Sequence, residues 1–154
     1  NHLKAEEITN FLAELKAEAF TNLNENDVLI TSDTIVWHEG KALGKPKDYQ
    51  DAFEMLQSMS GKTHEVITSV SFKTNAITET IFEVTKVTFK EISDEAITYY
   101  LDNYKPFDKA GAYGIQEWIG FIGVTKLEGS YFNVMGLPVH KLYEELMKFE
   151  FDII

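Results

Sequence analysis

Four segments of the chain carry apolar residues at the spacing of an amphipathic helix. In each, the apolar positions follow i, i+3, i+4, i+7, which places them in one stripe along a helix. Asp48 and Asp94 are predicted N-caps of the second and third helices, and Pro138 fits the first turn of the fourth. The predicted helices cover residues 8–15, 52–59, 97–104 and 139–146.

Runs rich in β-branched and aromatic residues lie between these helices and predict strands. Two long runs, 66–72 and 81–89, are joined by the polar segment 73–80, which predicts an antiparallel hairpin. The other predicted strands cover residues 28–31, 35–37 and 121–127. Because helices and strands interleave without a linker, the pattern predicts one domain of α/β or α+β class with a mixed sheet.

Composition limits the classes of function. The chain has 154 residues, 44% of them hydrophobic, which excludes a disordered tail and allows a substantial core. The formal net charge of −11 excludes a binder of duplex nucleic acid, because phosphate contacts need clustered cations, but it allows a small phosphorylated ligand. All fourteen cationic residues are lysines. Because the sequence has no cysteine and no long apolar run, it predicts that the chain has no disulfides and no membrane span. We therefore expect a cytoplasmic protein.

Two stretches bring charged side chains to predicted strand ends and loops. Asp33, followed by Thr34, puts a carboxylate at a strand end, where α/β folds place their sites; an Asp that caps a turn is the alternative. The segment 40–48 carries three lysines. Pro46 restricts Lys45 to extended backbone, so that Lys45 can be aimed at a polyphosphate. A solvated loop before a helix is the alternative for this segment.

A third stretch, residues 108–116, combines small residues with groups that can read a ligand. Gly111 and Gly114 permit close approach of a ligand to the backbone, and the Gln116 amide offers a donor and an acceptor to a base edge. A glycine-rich turn with a packed Tyr113 is the alternative. The four histidines lack the spacing of a metal site and are expected to be structural or on the surface: His2, His38, His64 and His140.

Taken in order, these stretches resemble the Maf family of nucleoside triphosphate pyrophosphatases over nearly the whole chain. Each motif alone is a weak signal, but the ordered set at these spacings is specific. The matching motifs are Lys16-Ala17, Ser32-Asp33-Thr34-Ile35-Val36, Gly44-Lys45-Pro46, Asp51-Ala52, Ser60-Gly61-Lys62-Thr63-His64-Glu65-Val66, Asp108-Lys109-Ala110-Gly111-Ala112-Tyr113-Gly114-Ile115-Gln116, Glu128-Gly129-Ser130-Tyr131 and Gly136-Leu137-Pro138.

The resemblance implies a fold, a reaction and a metal. The fold would be an α/β domain similar to the Maf and inosine triphosphatase proteins, with a mixed twisted sheet, flanking helices and two lobes around a central cleft. The reaction would be hydrolysis of a nucleoside triphosphate to the monophosphate and pyrophosphate with a divalent cation, Mg²⁺ or Mn²⁺. The form of residues 110–116 resembles the branch acting on dTTP and UTP. Modified pyrimidine triphosphates are family substrates too, which implies a house-cleaning role.

The resemblance also implies roles for single residues. Asp33 matches the proton acceptor that helps to hold the metal, and Lys16 and Lys45 match phosphate-binding lysines. Thr34 and Gln116 match positions linked to substrate choice. The residues expected to bind substrate or to set specificity are Thr34, Lys109, Tyr113, Gly114 and Gln116.

Two other functions stay open. The family is associated with septum formation, so a non-catalytic nucleotide-binding regulator is one alternative; a 7-methyl-GTP pyrophosphatase, disfavoured by the context of Gln116, is the other. The family's N-terminal strand and its Arg-bearing Ser-x-Ser-Pro-Arg-Arg loop have no counterpart in residues 1–154, which we expect to be most of a slightly longer single domain. A homodimer is expected from the family, whereas nucleic-acid and membrane partners are not.

Overall fold

The computed structural model describes residues 4–149. Within that range the strands are β1 Leu29–His38, β2 Lys41–Leu43, β3 Thr63–Lys73, β4 Thr78–Phe89 and β5 Val124–Glu128. The α-helices are α1 Glu6–Glu18, α2 Tyr49–Met59, α3 Asp94–Tyr104, α4 Trp118–Gly123, α5 Tyr131–Met135 and α6 Val139–Leu146, and a short 3₁₀ helix spans Ala110–Ala112. None of the helices in the described range is long and apolar enough to cross a membrane.

The strands form one sheet in the order β2-β1-β3-β4-β5. The α/β class with helices flanking a sheet is confirmed, and so is the predicted hairpin, which is β3 and β4. Each strand pairing in residues 4–149 is antiparallel, so this part of the chain does not show the mixed sheet that was expected. Short turns reverse the chain between β1 and β2 and between β3 and β4, and the longer helix-containing connections before β3 and β5 also bring the chain back antiparallel to its neighbour. The two lobes around a cleft stay a prediction.

The two faces of the sheet carry different layers. Asp33 and Ser69 are paired across β1 and β3, and Ser69 hydrogen-bonds to Thr9 of α1 at 2.6 Å, which places α1 over their face. Because successive residues of a strand point to opposite faces, Thr34 and Val36 belong to the other face. That second face holds the main hydrophobic core, formed with α2, α3 and the segment 110–119.

The four helices predicted from periodicity are all present, but two assignments at helix ends differ. Pro138 is the N-cap of α6 and not a residue of its first turn, and Asp94 is not the cap of α3. Asp48 caps α2 as predicted, accepting a hydrogen bond from the Asp51 amide at 2.8 Å. The cap of α3 is Ser93, whose hydroxyl accepts from the amide of Ala96, whereas the predicted cap, Asp94, is the first helical residue. Asp94 still favours the helix, because a carboxylate in the first turn interacts with the positive end of the helix dipole.

The short strand predictions also needed correction. The predicted strands 28–31 and 35–37 are one continuous strand, β1, in which the polar residues between them pair with β3. The predicted strand 121–127 is a strand only from Val124, because residues 118–123 form α4. Gly120 and Gly123 lie in that helix, where a Cβ on Gly120 would meet the Ile115 carbonyl oxygen at 1.8 Å, so close packing overrides local propensity.

Candidate functional site

A cavity of about 480 Å³ lies beside β1 and is lined from both faces of that strand. β2 pairs with β1 only from Val36 to His38, so among the described residues the stretch 29–35 has no strand on that side. All eight predicted site residues line this cavity: Lys16, Asp33, Thr34, Lys45, Lys109, Tyr113, Gly114 and Gln116. The structure therefore brings together residues that are up to 100 positions apart in the sequence.

Asp33 and Lys16 form an ion pair at one side of the cavity. The Lys16 ammonium donates to Oδ1 of Asp33 at 2.8 Å and to the Ser32 carbonyl oxygen at 2.9 Å. Helix α1 is held against β1 by the Thr31 hydroxyl, which donates to the Ala13 carbonyl oxygen at 2.7 Å. Asp33 is largely shielded, with 18% of its side chain exposed, whereas 53% of Lys16 is exposed and can meet a ligand.

Two loops bring the other two lysines to the cavity. The Gly111 amide donates to the Gly44 carbonyl oxygen at 3.1 Å, which ties the loop of Lys45 to the loop of Lys109. A hydrogen bond from Lys109 and the positive charge of Lys45 hold the pKa of the Asp108 carboxyl below its usual range. The lining thus holds three lysines and two aspartates, an excess of cations in a chain of net charge −11.

Tyr100 of α3 supports the glycine-containing loop from behind. Its hydroxyl donates to Oε1 of Glu117 at 2.7 Å and accepts from the Gly114 amide at 3.1 Å. Burial and the bond to Glu117 raise the pKa of Tyr100 above its ordinary value, so the hydroxyl keeps its proton. This support leaves the neighbouring Gln116 exposed at the cavity.

Tyr113 lines the cavity, but its hydroxyl lies in the protein interior. Its hydroxyl lies 2.6 Å from Nε2 of His64, and both side chains are buried. Burial, together with the nearby His38 ring, lowers the pKa of His64 to about 3, and burial raises that of Tyr113. Both groups are therefore neutral at physiological pH. The hydroxyl of Tyr113 is therefore packed in the interior, as the alternative interpretation expects, while another part of the residue lines the cavity.

Sequence reasoning missed two polar residues behind Thr34. The Thr34 hydroxyl lies 2.9 Å from that of Thr68, and Thr68 donates to the Asn133 carbonyl oxygen at 3.1 Å. The Asn133 side-chain amide donates to the carbonyl oxygens of Val66 and Glu83, at 3.2 Å each. Both Thr68 and Asn133 are fully buried. Only the pairing register of β1 and β3 could have indicated Thr68, which lies opposite Thr34.

The histidines are structural or on the surface, as predicted, wherever the structure describes them. His38 and His64 are buried, and Nε2 of His38 lies 2.9 Å from the Ser58 carbonyl oxygen. His140 is half-exposed and 3.5 Å from Glu83. His2 lies outside the described residues.

The carboxylates of the cavity fit a cation that is shared with a ligand. Among the described residues, the acidic ones that line the cavity are Asp33 and Asp108. The same part of the chain contains no group of three or more His, Cys, Asp and Glu side chains that could hold a metal ion. Mg²⁺ is usually held by one or two carboxylates together with substrate phosphates and water, rather than by a cage of protein ligands. The donor set therefore suits a cation bound together with a polyphosphate.

Comparison with known proteins identifies the family of the chain. The family model described as Maf-like protein matches residues 1–149. A protein of Flavobacterium johnsoniae named dTTP/UTP pyrophosphatase is 70% identical over 145 residues, which are 94% of this chain and 75% of that protein. Proteins of the same name from Flavobacterium psychrophilum and Bacteroides fragilis are 63% identical over 150 residues (97% and 77% of the two chains) and 56% identical over 145 residues (94% and 75%). The chain therefore belongs to the Maf family.

Proposed function

We propose that the chain is a nucleoside triphosphate pyrophosphatase that converts dTTP and UTP to the monophosphate and pyrophosphate. The observation that carries the proposal is the cavity in which Asp33 and three lysines line one space. The names of relatives that are 56–70% identical to the chain support the choice of substrate.

Asp33 is the proposed proton acceptor. A water molecule loses one proton to the Asp33 carboxylate, and its oxygen forms a bond to the α-phosphorus. The bond from the α-phosphorus to the α–β bridging oxygen breaks, and its electron pair leaves with pyrophosphate. A general base placed in this way contributes about 10²–10⁴ in rate. Asp33 suits the role because it is largely shielded and held in place by the 2.8 Å bond from Lys16.

The lysines are the proposed phosphate ligands. Lys16, Lys45 and Lys109 supply positive charge to a triphosphate. The Lys16 ammonium uses two of its three hydrogens on Asp33 and on the Ser32 carbonyl oxygen, so the third can reach a phosphate oxygen while the bond to Asp33 is kept. A divalent cation held by Asp33 and the triphosphate would neutralise charge that develops on the leaving pyrophosphate. Gln116 and Thr34 are the proposed specificity residues at the pyrimidine.

Pyrophosphate release from dTTP, UTP, CTP and 7-methyl-GTP in the presence of Mg²⁺ or Mn²⁺ tests the proposal. We expect release from dTTP and UTP, and a loss of at least about 100-fold in kcat for Asp33→Asn. Asp102→Asn is the matched control, because Asp102 lies on α3 and bonds Tyr49 outside the cavity. Release from 7-methyl-GTP alone, or binding of UTP without turnover, would contradict the proposal and favour the 7-methyl-GTP enzyme or the regulator.

A further inference from the structure

The hydrogen-bond chain behind Thr34 has a fixed direction. Thr68 has one hydroxyl hydrogen, and a carbonyl oxygen can only accept, so that hydrogen is used on the Asn133 oxygen at 3.1 Å. If Thr68 donated to Thr34 instead, the Thr68 hydroxyl oxygen and the Asn133 carbonyl oxygen would lie 3.1 Å apart with no hydrogen between them. Thr68 is fully buried, so no bulk water can take over either bond. Both contacts contain a hydrogen only if the Thr34 hydroxyl donates to Thr68, at 2.9 Å, which makes this the favoured direction.

This direction decides what Thr34 can offer to the cavity. A threonine hydroxyl has one hydrogen and two lone pairs, and the hydrogen of Thr34 is used. Toward a ligand, Thr34 is then an acceptor and not a donor. A phosphate oxygen is also an acceptor, so Thr34 does not suit the triphosphate. Its surroundings agree, because the lining residues Val66, Val134 and Met135 of β3 and α5 are apolar and suit a ring.

We propose that Thr68 is a positioning residue for substrate choice, which holds Thr34 as an acceptor for the N3–H of uracil or thymine. The inference rests on the proposed function. Uracil and thymine carry a hydrogen on N3, whereas N3 of cytosine is an acceptor. Cytosine at this position would place two acceptors in contact, and a buried polar group without its partner is costly.

Gln116 alone would discriminate between uracil and cytosine less strictly than Thr34 does. Its side-chain amide is exposed, and none of the side-chain hydrogen bonds within residues 4–149 fixes its orientation. An amide that rotates can present either its oxygen or its nitrogen to a base. Thr34 has no such freedom, because Thr68 and Asn133 lie in the buried interior and fix its direction.

Removal of the Thr68 hydroxyl tests the inference. We expect wild type to favour UTP over CTP in kcat/KM and in Kd, and Thr68→Val to reduce both ratios by about tenfold, because Thr34 can then donate as well as accept. Thr68→Ser keeps the hydroxyl and should retain the ratios. Thr63→Val is the matched control, because Thr63 forms a similar threonine pair with Thr88 at 2.8 Å on β3 and β4, on an exposed surface. Unchanged ratios in folded Thr68→Val would overturn the inference.

A second measurement uses the wild-type protein and two methylated substrates. In 3-methyl-UTP the N3 hydrogen is replaced, whereas 5-methyl-UTP keeps it and adds a methyl group of the same size. We expect the chain to bind and hydrolyse 5-methyl-UTP and to discriminate against 3-methyl-UTP by at least about tenfold. Equal use of the two analogues would overturn the inference even if Thr68→Val does not fold. Failure of the proposed function looks different: no pyrophosphate is released from UTP or dTTP, while the Kd ratios still report on Thr68.

Discussion

The Lys16 ammonium lies 2.8 Å from Oδ1 of Asp33, so α1 and β1 present one positive and one negative charge to the same cavity. Since more than half of the Lys16 side chain is exposed, the pair is worth little to the stability of the fold. Its value is in placing a cation beside the proposed proton acceptor.

Replacement of Lys16 by Met is therefore expected to affect catalysis more than stability. We predict a KM for UTP about tenfold higher, because a charge-assisted bond to phosphate is lost, and a change in the unfolding free energy below about 1 kcal/mol. Steady-state kinetics and urea melts measure the two effects. Lys126→Met is the control, because Lys126 forms an exposed ion pair of similar length, 2.7 Å, with Glu128 on β5. A large loss of stability with unchanged KM would show that Lys16 is structural.

Loss of the Tyr100 hydroxyl should loosen the loop that carries Gly114. In Tyr100→Phe the Gly114 amide loses its acceptor and Glu117 loses its donor, which we expect to lower the unfolding free energy by about 1–3 kcal/mol and to raise KM for UTP. Tyr104→Phe is the control, because the Tyr104 ring stacks on Tyr100 at a centroid distance of 5.2 Å on the exposed side of α3. If both variants behave alike, the hydroxyl of Tyr100 does not support the loop.

The variants Gly111→Ala and Gly40→Ala distinguish the cost of backbone strain from the cost of steric overlap. Both have positive φ, +69° and +75°, so an alanine at either position is strained by about 1–2 kcal/mol. A Cβ on Gly40 would meet nothing within 4 Å, whereas one on Gly111 would lie 2.6 Å from Cγ2 of Val36. We predict that Gly111→Ala lowers the unfolding free energy by about 1–3 kcal/mol more than Gly40→Ala does, as thermal melts would measure. Equal losses would contradict the close packing of Gly111 on β1.

The buried His64 should make the fold sensitive to acid. Its pKa is about 3 in the folded chain and about 6.5 when exposed, so between these values the unfolded state binds one more proton. The stability that depends on neutral His64 is complete above pH 6.5 and falls by about 1.4 kcal/mol for each pH unit as the pH drops toward 3.

His64→Gln removes this titration and leaves a polar partner for Tyr113. The variant should show a shallower loss of stability than wild type between pH 6 and 4 in urea melts. His140→Gln is the control, because the His140 side chain is half-exposed. Parallel curves for wild type and His64→Gln would mean that His64 does not titrate in this way.

The features that the sequence predicts well are those set by local spacing. The helix predicted over residues 8–15 and the hairpin around residues 73–80 depend on neighbours in the chain, and both are present. The face of α1 that is buried differs from the predicted stripe, because Thr9, Ala13 and Ala17 are buried whereas Phe11 and Leu15 are exposed. The eight site residues were found through ordered motifs, and all eight line one cavity. What was missed in the helices lies at their ends, where neighbouring residues compete. Ser93 rather than Asp94 caps α3, and residues 118–123 form a helix in which Gly120 lies close to Ile115.

The residues behind Thr34 could not be predicted because they depend on tertiary contacts. Thr68 is one of several small polar residues in β3, and its neighbours in the sequence do not distinguish it. Asn133 lies 65 positions further along the chain, in a helix of five residues. The contact of Thr68 with Thr34 follows from the β1–β3 register, and the contact of Asn133 with Thr68 follows from the packing of α5 on the sheet.

Because Asp33 and Thr34 are neighbours in one strand, few insertions or deletions in β1 can leave both side chains in place. Their Cα atoms are about 3.8 Å apart by covalent geometry, and the alternation of the strand sends their side chains to opposite faces. A deletion or insertion of one residue in this part of β1 would exchange the two faces and move both groups at once. If the proposed roles hold, single substitutions around Thr34 can change the substrate preference, whereas the distance between the proposed proton acceptor and the proposed specificity residue is fixed by the backbone of β1.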